Sequence, residues 1–258
     1  MRKEILGVHF HITNNDIIPN DISTYPQEIV LMIQNAGTFE GDLFKFFESN
    51  NYNIICWHAT RLTEKEIKDI EENGMNTDDH ADFFEQKIKD LPNQINIDIK
   101  RELLNHIENI KETQSEGRIY ASYGVFDLEN DYRGDKIFLK NWGGETIYNY
   151  YDNPYKKNQE HLNYIKEELR KVSYPCIVCL RISIQKLLQI NPCFFVDFCN
   201  QIKNSDLQLF SGNLCTEKNN FEVVNVLKVA DCFINAETLL VFKPRHEIKK
   251  GRPNASYT

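Results

Sequence analysis

The sequence predicts an α+β fold, and three observations carry that prediction. Strand-like runs recur at Asn53–Trp57, Arg118–Ser122, Cys176–Ile182, Glu222–Val229 and Glu237–Phe242, each rich in β-branched or aromatic residues. Between them lie charged segments whose apolar residues return every three or four positions, the period of an amphipathic helix. The composition, 41% hydrophobic with 16 Phe and 12 Tyr in 258 residues, is that of a chain with a sizeable buried core.

Residues 1–50 carry two short β-like pieces, Ile5–Ile12 and Ile29–Ile33, separated by an Asn- and Asp-rich stretch with Pro19 and Pro26. They read as a front segment appended to the main domain at 51–248. The strand at Asn53–Trp57 leads into a helix. Thr63 can cap it, and Glu66, three residues on, completes a capping box. Ile67 and Ile70 supply the buried stripe, and Gly74 is placed as its C-terminal cap. In residues 80–112, Phe84, Ile88 and Leu91, then Ile99, Leu103, Ile107 and Ile110 form stripes broken at Pro92, which predicts a helical insertion. Strand character returns at Arg118–Ser122 and, after a polar stretch, at Gly134–Leu139. Beyond Trp142-Gly-Gly-Glu145 the pattern is helical around Leu162, Ile165 and Leu169, then strongly β from Cys176. The basic, turn-rich stretch 249–258 reads as a tail.

Composition narrows the function classes. Thirty Lys and Arg against 38 Asp and Glu give a net charge of −8, so no global positive field draws the chain onto nucleic acid or an anionic membrane. No apolar run approaches the roughly 20 residues of a membrane span, and the expected address is cytoplasmic. Seven cysteines, an odd number, fit reduced thiols better than a disulfide framework. Cys176 and Cys179 form a C-x-x-C, but three residues apart on a strand they point to opposite faces and cannot grip one ion. No metal is expected. His9 and His11 share a strand face, a pattern more often packed or solvated than ligating.

Three places combine polar side chains, aromatic neighbours and strand-end positions. The first is Cys56-Trp-His58-Ala-Thr60-Arg61, where a histidine ends an apolar strand just before a capped helix. The second is Gly117-Arg-Ile-Tyr120-Ala-Ser122, a strand tyrosine whose ring can stack on a flat heterocycle, with Tyr132 downstream. The third is a carboxylate with two candidates: Glu145, behind two glycines, and Glu237, at the start of an apolar strand.

Taken in order, these motifs resemble the ADP-ribosyltransferase fold of the poly(ADP-ribose) polymerase and diphtheria-toxin-like type. Trp57-His-Ala-Thr-Arg61 with a helix ending at Gly74-Met75 is similar to its Trp-His-Gly-Ser/Thr-Arg motif and following helix. Gly117-Arg-Ile-Tyr120-Ala is similar to its Gly-x-x-Tyr-Phe-Ala strand, and Asn235-Ala-Glu237-Thr-Leu-Leu-Val-Phe242 to its Asn-Glu-Tyr-Ile-Val-Tyr strand. Three departures accompany the likeness: Ala59 stands for a glycine, one extra residue separates Asn235 from Glu237, and the insertion lies outside the minimal core. The resemblance implies a split β-sheet core and NAD as substrate, without a metal. It implies that His58 bonds ribose hydroxyls, Tyr120 stacks on nicotinamide, and Glu237 or Glu145 engages the 2′-hydroxyl of the nicotinamide ribose. Thr60, Arg61, Tyr132 and Trp142 are expected to line the same site. The implied reaction transfers ADP-ribose to a macromolecule, with protein favoured over nucleic acid, as a toxin or defence effector does. A non-catalytic module of the same fold, holding a nucleotide or an ADP-ribosylated partner, is the alternative.

Overall fold

The computed structural model describes residues 2–5, 8–11, 13–18, 24–34, 40–75, 81–110, 118–122, 135–144, 147, 158–190, 213–217 and 221–229. Within them the chain is a mixed α+β structure whose centre is a six-stranded mixed sheet. Two strands, β1 (Arg2–Ile5) and β2 (Val8–His11), form a separate antiparallel hairpin. The sheet contains β3 (Asp16–Ile17), β4 (Asn53–Thr63), β5 (Arg118–Ser122), β6 (Ser173–Ser183), β7 (Asn213–Glu217) and β8 (Phe221–Lys228), in the order β7-β5-β4-β6-β8 with β3 also on β4. Strand β4 pairs with β6 over its whole length, from Asn53↔Ser183 to Thr63↔Ser173. The helices are α1 (Gln27–Gln34), α2 (Glu40–Ser49), α3 (Glu64–Asn73), α4 (Ala81–Lys89), α5 (Ile97–Ile110), α6 (Asp135–Lys140), α7 (Gln159–Lys171) and α8 (Ile184–Ile190).

Strand alternation divides the core. Ile54, Cys56 and Leu62 of β4 join Cys176, Val178, Leu180 and Ile182 of β6 on one face. Ile29 of α1, Phe47 of α2, Ile67 and Ile70 of α3, and Leu187 of α8 cover that face. Ile55, Trp57 and Ala59 join Ile177 and Cys179 on the other, under Leu139 of α6. A third cluster is helical: α4, α5 and α7 pack Ile88, Leu103, Ile107, Ile165 and Leu169 around Trp142 and Ile147. Burying a side chain such as Leu103 or Ile165 contributes about 1.5–3 kcal/mol each, so the insertion is held through a core it shares with α7 and the Trp142 turn. Among the described residues, no helix is long and apolar enough to cross a membrane.

Several elements depart from the sequence reading. Residues 1–50 are no mere appendage: β3 pairs in parallel with Asn53 and Ile54, and Ile17, Ile29 and Phe47 are wholly buried in the main core. Asp16 clamps that segment, taking Arg181 Nε and Nη2 at 2.8 and 2.9 Å, Asn53 Nδ2 at 3.1 Å and the Thr13 N–H at 2.8 Å. The run Ile29–Ile33 is helical within α1, with Ile29 buried and Leu31 exposed. A short all-apolar run does not by its period separate strand from buried helix. The expected strand Ile5–Ile12 is instead split between β1 and β2. Gly134–Leu139 falls largely in helix α6, whose Leu139 lies over the sheet instead of joining it. The expected strand Glu237–Phe242 and the tail lie outside the described residues.

Candidate functional site

Strand β4 is built for two tasks by its own alternation. The Ile184 N–H donates to the Tyr52 carbonyl, which makes the even-numbered residues of β4 the ones that bond β6. The odd-numbered residues therefore turn their N–H and C=O groups to the opposite edge. There the Asn53 N–H meets the Asn15 carbonyl beside β3, and the Thr63 N–H meets the Glu66 carboxylate at 2.8 Å. Strand β5 approaches the same edge but pairs with β4 at one position, Trp57↔Ser122, whereas it pairs with β7 over all its residues. Among the described residues the sheet is thus joined at a single pair between β4 and β5. The backbone of Ala59 and Arg61 faces the same edge.

His58 sits beside that junction, half-buried and paired across the ladder with Val178. Its position belongs to the helix-covered face with Cys56 and Thr60. The Trp57↔Ser122 register, with Ile119 and Ala121 in the helix-covered core, sets position 120 on the face of Trp57 and Ala59. Positions 58 and 120 therefore occupy neighbouring strands on opposite faces, and the structure does not bring them together on one. Tyr132, Glu145 and Glu237 lie outside the described residues.

Arg61 and Trp142, expected at the ligand, are taken up by the protein. Arg61 is 4% exposed, and its guanidinium donates to Ser173 Oγ (2.9 Å), Ser173 O (2.8 Å), Arg170 O (3.0 Å) and Leu139 O (3.1 Å). The Arg170 and Leu139 carbonyls belong to the last turns of α7 and α6, where unpartnered carbonyls and the negative dipole end favour a cation. Arg61 thus ties both helix ends to the rim of β4. Thr60 is buried beside it.

Trp142 is 2% exposed, packed in the helical core, and its indole N–H donates to Glu66 Oε2 at 2.8 Å. Glu66 is the hub of this region. Its Oε2 accepts the Thr63 N–H and hydroxyl as well, at 2.8 and 2.9 Å, while the Glu66 N–H returns to Thr63 Oγ1, so the capping box expected from the sequence is present. Lys87 of α4 lies 3.0 Å from its Oε1. Burial pushes the Glu66 carboxyl up, but the Lys87 charge and the Thr63 and Trp142 donors outweigh it and hold the group below the ordinary glutamate range.

The glycines after Trp142 have separate reasons. Gly143 has φ +97°, and a Cβ there would stand 2.4 Å from Ile147 Cγ1; Gly144 has φ +62° in open space. The turn closes with the Ile147 N–H on the Gly143 carbonyl at 3.4 Å. The Glu66–Trp142 bond was not readable from spacing, because the two residues are 76 apart.

The thiols behave as core residues. Cys176 lies in the helix-covered cluster and Cys179 in the opposite one, as their spacing on a strand requires. Burial pushes both up to about 12 and raises Cys56 further. Compared with known proteins, this chain matches no family description, no curated sequence and no solved structure.

Proposed function

We propose that this chain is an NAD-dependent ADP-ribosyltransferase built on a split β-sheet. The observation that carries the reading is the single-pair junction between β4 and β5, next to His58 on the strand holding Trp57-His-Ala-Thr-Arg61. Strands β4 and β5 share one described ladder pair, Trp57↔Ser122, beside the half-buried His58, and the reading places the substrate at that edge of the sheet. In this reading His58 holds ribose hydroxyls, Tyr120 stacks on the nicotinamide ring, and Glu237 or Glu145 supplies the carboxylate. Breaking the nicotinamide–ribose bond builds oxocarbenium character, and a fixed carboxylate stabilises it more in the transition state than in the ground state. Nicotinamide leaves with the bonding electrons, and an acceptor nucleophile takes the ribose carbon. The net charge of −8 favours a protein acceptor over nucleic acid and fits a cytoplasmic toxin or defence effector.

The opposite faces of positions 58 and 120, together with Ala59, favour a second reading: a non-catalytic module that holds a nucleotide or an ADP-ribosylated partner. Nicotinamide release from NAD, with lysate supplying acceptors, separates the two. Release that falls roughly 10²-fold in His58→Ala and in one of Glu237→Gln and Glu145→Gln supports the transferase. No release, with NAD binding retained in calorimetry, supports the module, and no binding removes both.

A further inference from the structure

Independently of the transferase reading, we infer that the β1–β2 hairpin carries a binding site for one divalent transition-metal ion, zinc, on the face that holds Glu4, His9 and His11. The pairing register is Arg2↔His11, Lys3↔Phe10, Glu4↔His9 and Ile5↔Val8. Alternation along each strand sorts these residues into two faces. Lys3, Ile5, Val8 and Phe10 share one, which is largely apolar. Arg2, Glu4, His9 and His11 share the other, and every residue on it is charged or titratable.

Spacing alone sets the two histidines on one face and offers no third donor; strand pairing supplies it. Glu4 stands directly opposite His9, where Cβ atoms lie about 4.5–5.5 Å apart, and diagonal to His11, at about 7–8 Å. His9 and His11, two residues apart on β2, are separated by about 6.5–7 Å along the strand. Two imidazoles and one carboxylate on a triangle of that size match the His, His, Glu donor set of zinc sites that keep a fourth position open for water or a ligand. Cys176 and Cys179 give the contrast: three residues apart on β6, they fall on opposite faces and share no such position.

The hairpin also stands to gain from an ion. It has four residues in each strand and is a sheet of its own, and a two-stranded hairpin is marginal in water. An ion held from β1 and β2 together links the strands and adds its binding free energy to the paired state. The net charge of −8 favours a cation, whereas Arg2, opposite His11, opposes one on this face.

The test is isothermal titration of Zn²⁺ into the metal-free full chain under reducing conditions. Wild type is expected to take up one ion in a step that His9→Ala, His11→Ala and Glu4→Ala each weaken by about 10–100-fold or more. Arg2→Ala is expected to tighten the step several-fold by removing the like charge. Lys3→Ala lies on the other face and is expected to stay within about 3-fold of wild type. His161→Ala removes the histidine paired with Glu102 between α5 and α7 and is expected to change nothing.

Absence of Zn²⁺ uptake in the wild type overturns the inference. Uptake that survives His9→Ala and Glu4→Ala unchanged places the ion elsewhere and overturns it too, as does a loss in Lys3→Ala equal to that in His9→Ala. Circular dichroism of each metal-free variant separates lost affinity from lost fold; should one variant fail to fold, the other two decide. Nicotinamide release is measured apart, so the transferase reading stands or falls on its own assay.

Discussion

Replacing Gly143 by alanine adds one methyl group, and the structure separates its cost into two parts. The first is conformational: φ of +97° is a region that costs a side chain about 1–2 kcal/mol. The second is steric. The new Cβ would stand 2.4 Å from Ile147 Cγ1 and 2.5 Å from its Cβ, and Ile147, wholly buried in the helical core, has nowhere to retreat without moving that core. Overpacking of this kind costs about 1–3 kcal/mol, so Gly143→Ala is expected to destabilise by about 2–5 kcal/mol. Gly144→Ala supplies the comparison, for its φ is +62° with nothing within 4 Å, and only the conformational part of about 1–2 kcal/mol applies. Gly74→Ala, equally open but at φ +77° and ψ 172°, a region that essentially only glycine populates, is expected to cost at least as much as Gly144→Ala, about 1–3 kcal/mol. Urea unfolding followed by circular dichroism measures all three against wild type, with unchanged slopes indicating that the midpoint shift reports stability. A Gly143→Ala midpoint matching that of Gly144→Ala would refute the argument that Ile147 blocks the site.

Arg61→Met keeps the volume of a buried stem but strands the Leu139, Arg170 and Ser173 carbonyls; a loss of about 2–4 kcal/mol is expected in the same unfolding assay. Arg61→Lys should recover less than half of it, because an ammonium cannot span acceptors that the planar fork reaches together. The stability difference between wild type and Glu66→Gln should vary with pH. The folded carboxyl sits below its ordinary value of 4.5, so its contribution is fully present above about pH 4.5 and fades as pH falls through the lowered folded value. A difference that instead grew on acidification would contradict the Lys87, Thr63 and Trp142 contacts assigned to that group.

The parts of the fold legible in the sequence are those whose causes are local. Thr63 and Glu66 announce a helix start because both halves of the capping box lie within three residues, and the structure forms it. Phe84, Ile88, Leu91, Ile99, Leu103 and Ile107 announce the insertion because their spacing alone builds one apolar face, and all six are buried together. Arg118–Ser122 reads as a strand and is one. Strand β4, by contrast, is legible only to Trp57, because His58, Thr60 and Arg61 break the apolar pattern. They remain in the strand because β6 supplies ladder partners through Thr63 and because Ser173 and two helix ends satisfy Arg61. The same distance effect hid β3, whose two residues owe their place to Asn53, Arg181 and the Asp16 clamp. At the candidate site, the resemblance implied one shared site for His58 and Tyr120, and the structure puts them on neighbouring strands. Their opposite faces depend on a cross-strand register that no single segment encodes.

The ladder between β4 and β6 also governs when the molecule assembles. Residues 53–63 find their full-length partner only at 173–183, so the central pairing must close a loop of more than a hundred residues before any of its hydrogen bonds form. During synthesis the β4 edge waits until most of the chain has emerged, while α4 and α5, whose contacts are short in sequence, can dock at once. The Thr63–Glu66 cap stands between these two clocks: it forms locally at the end of β4, and its carboxylate is then ready when Lys87 and later Trp142 arrive.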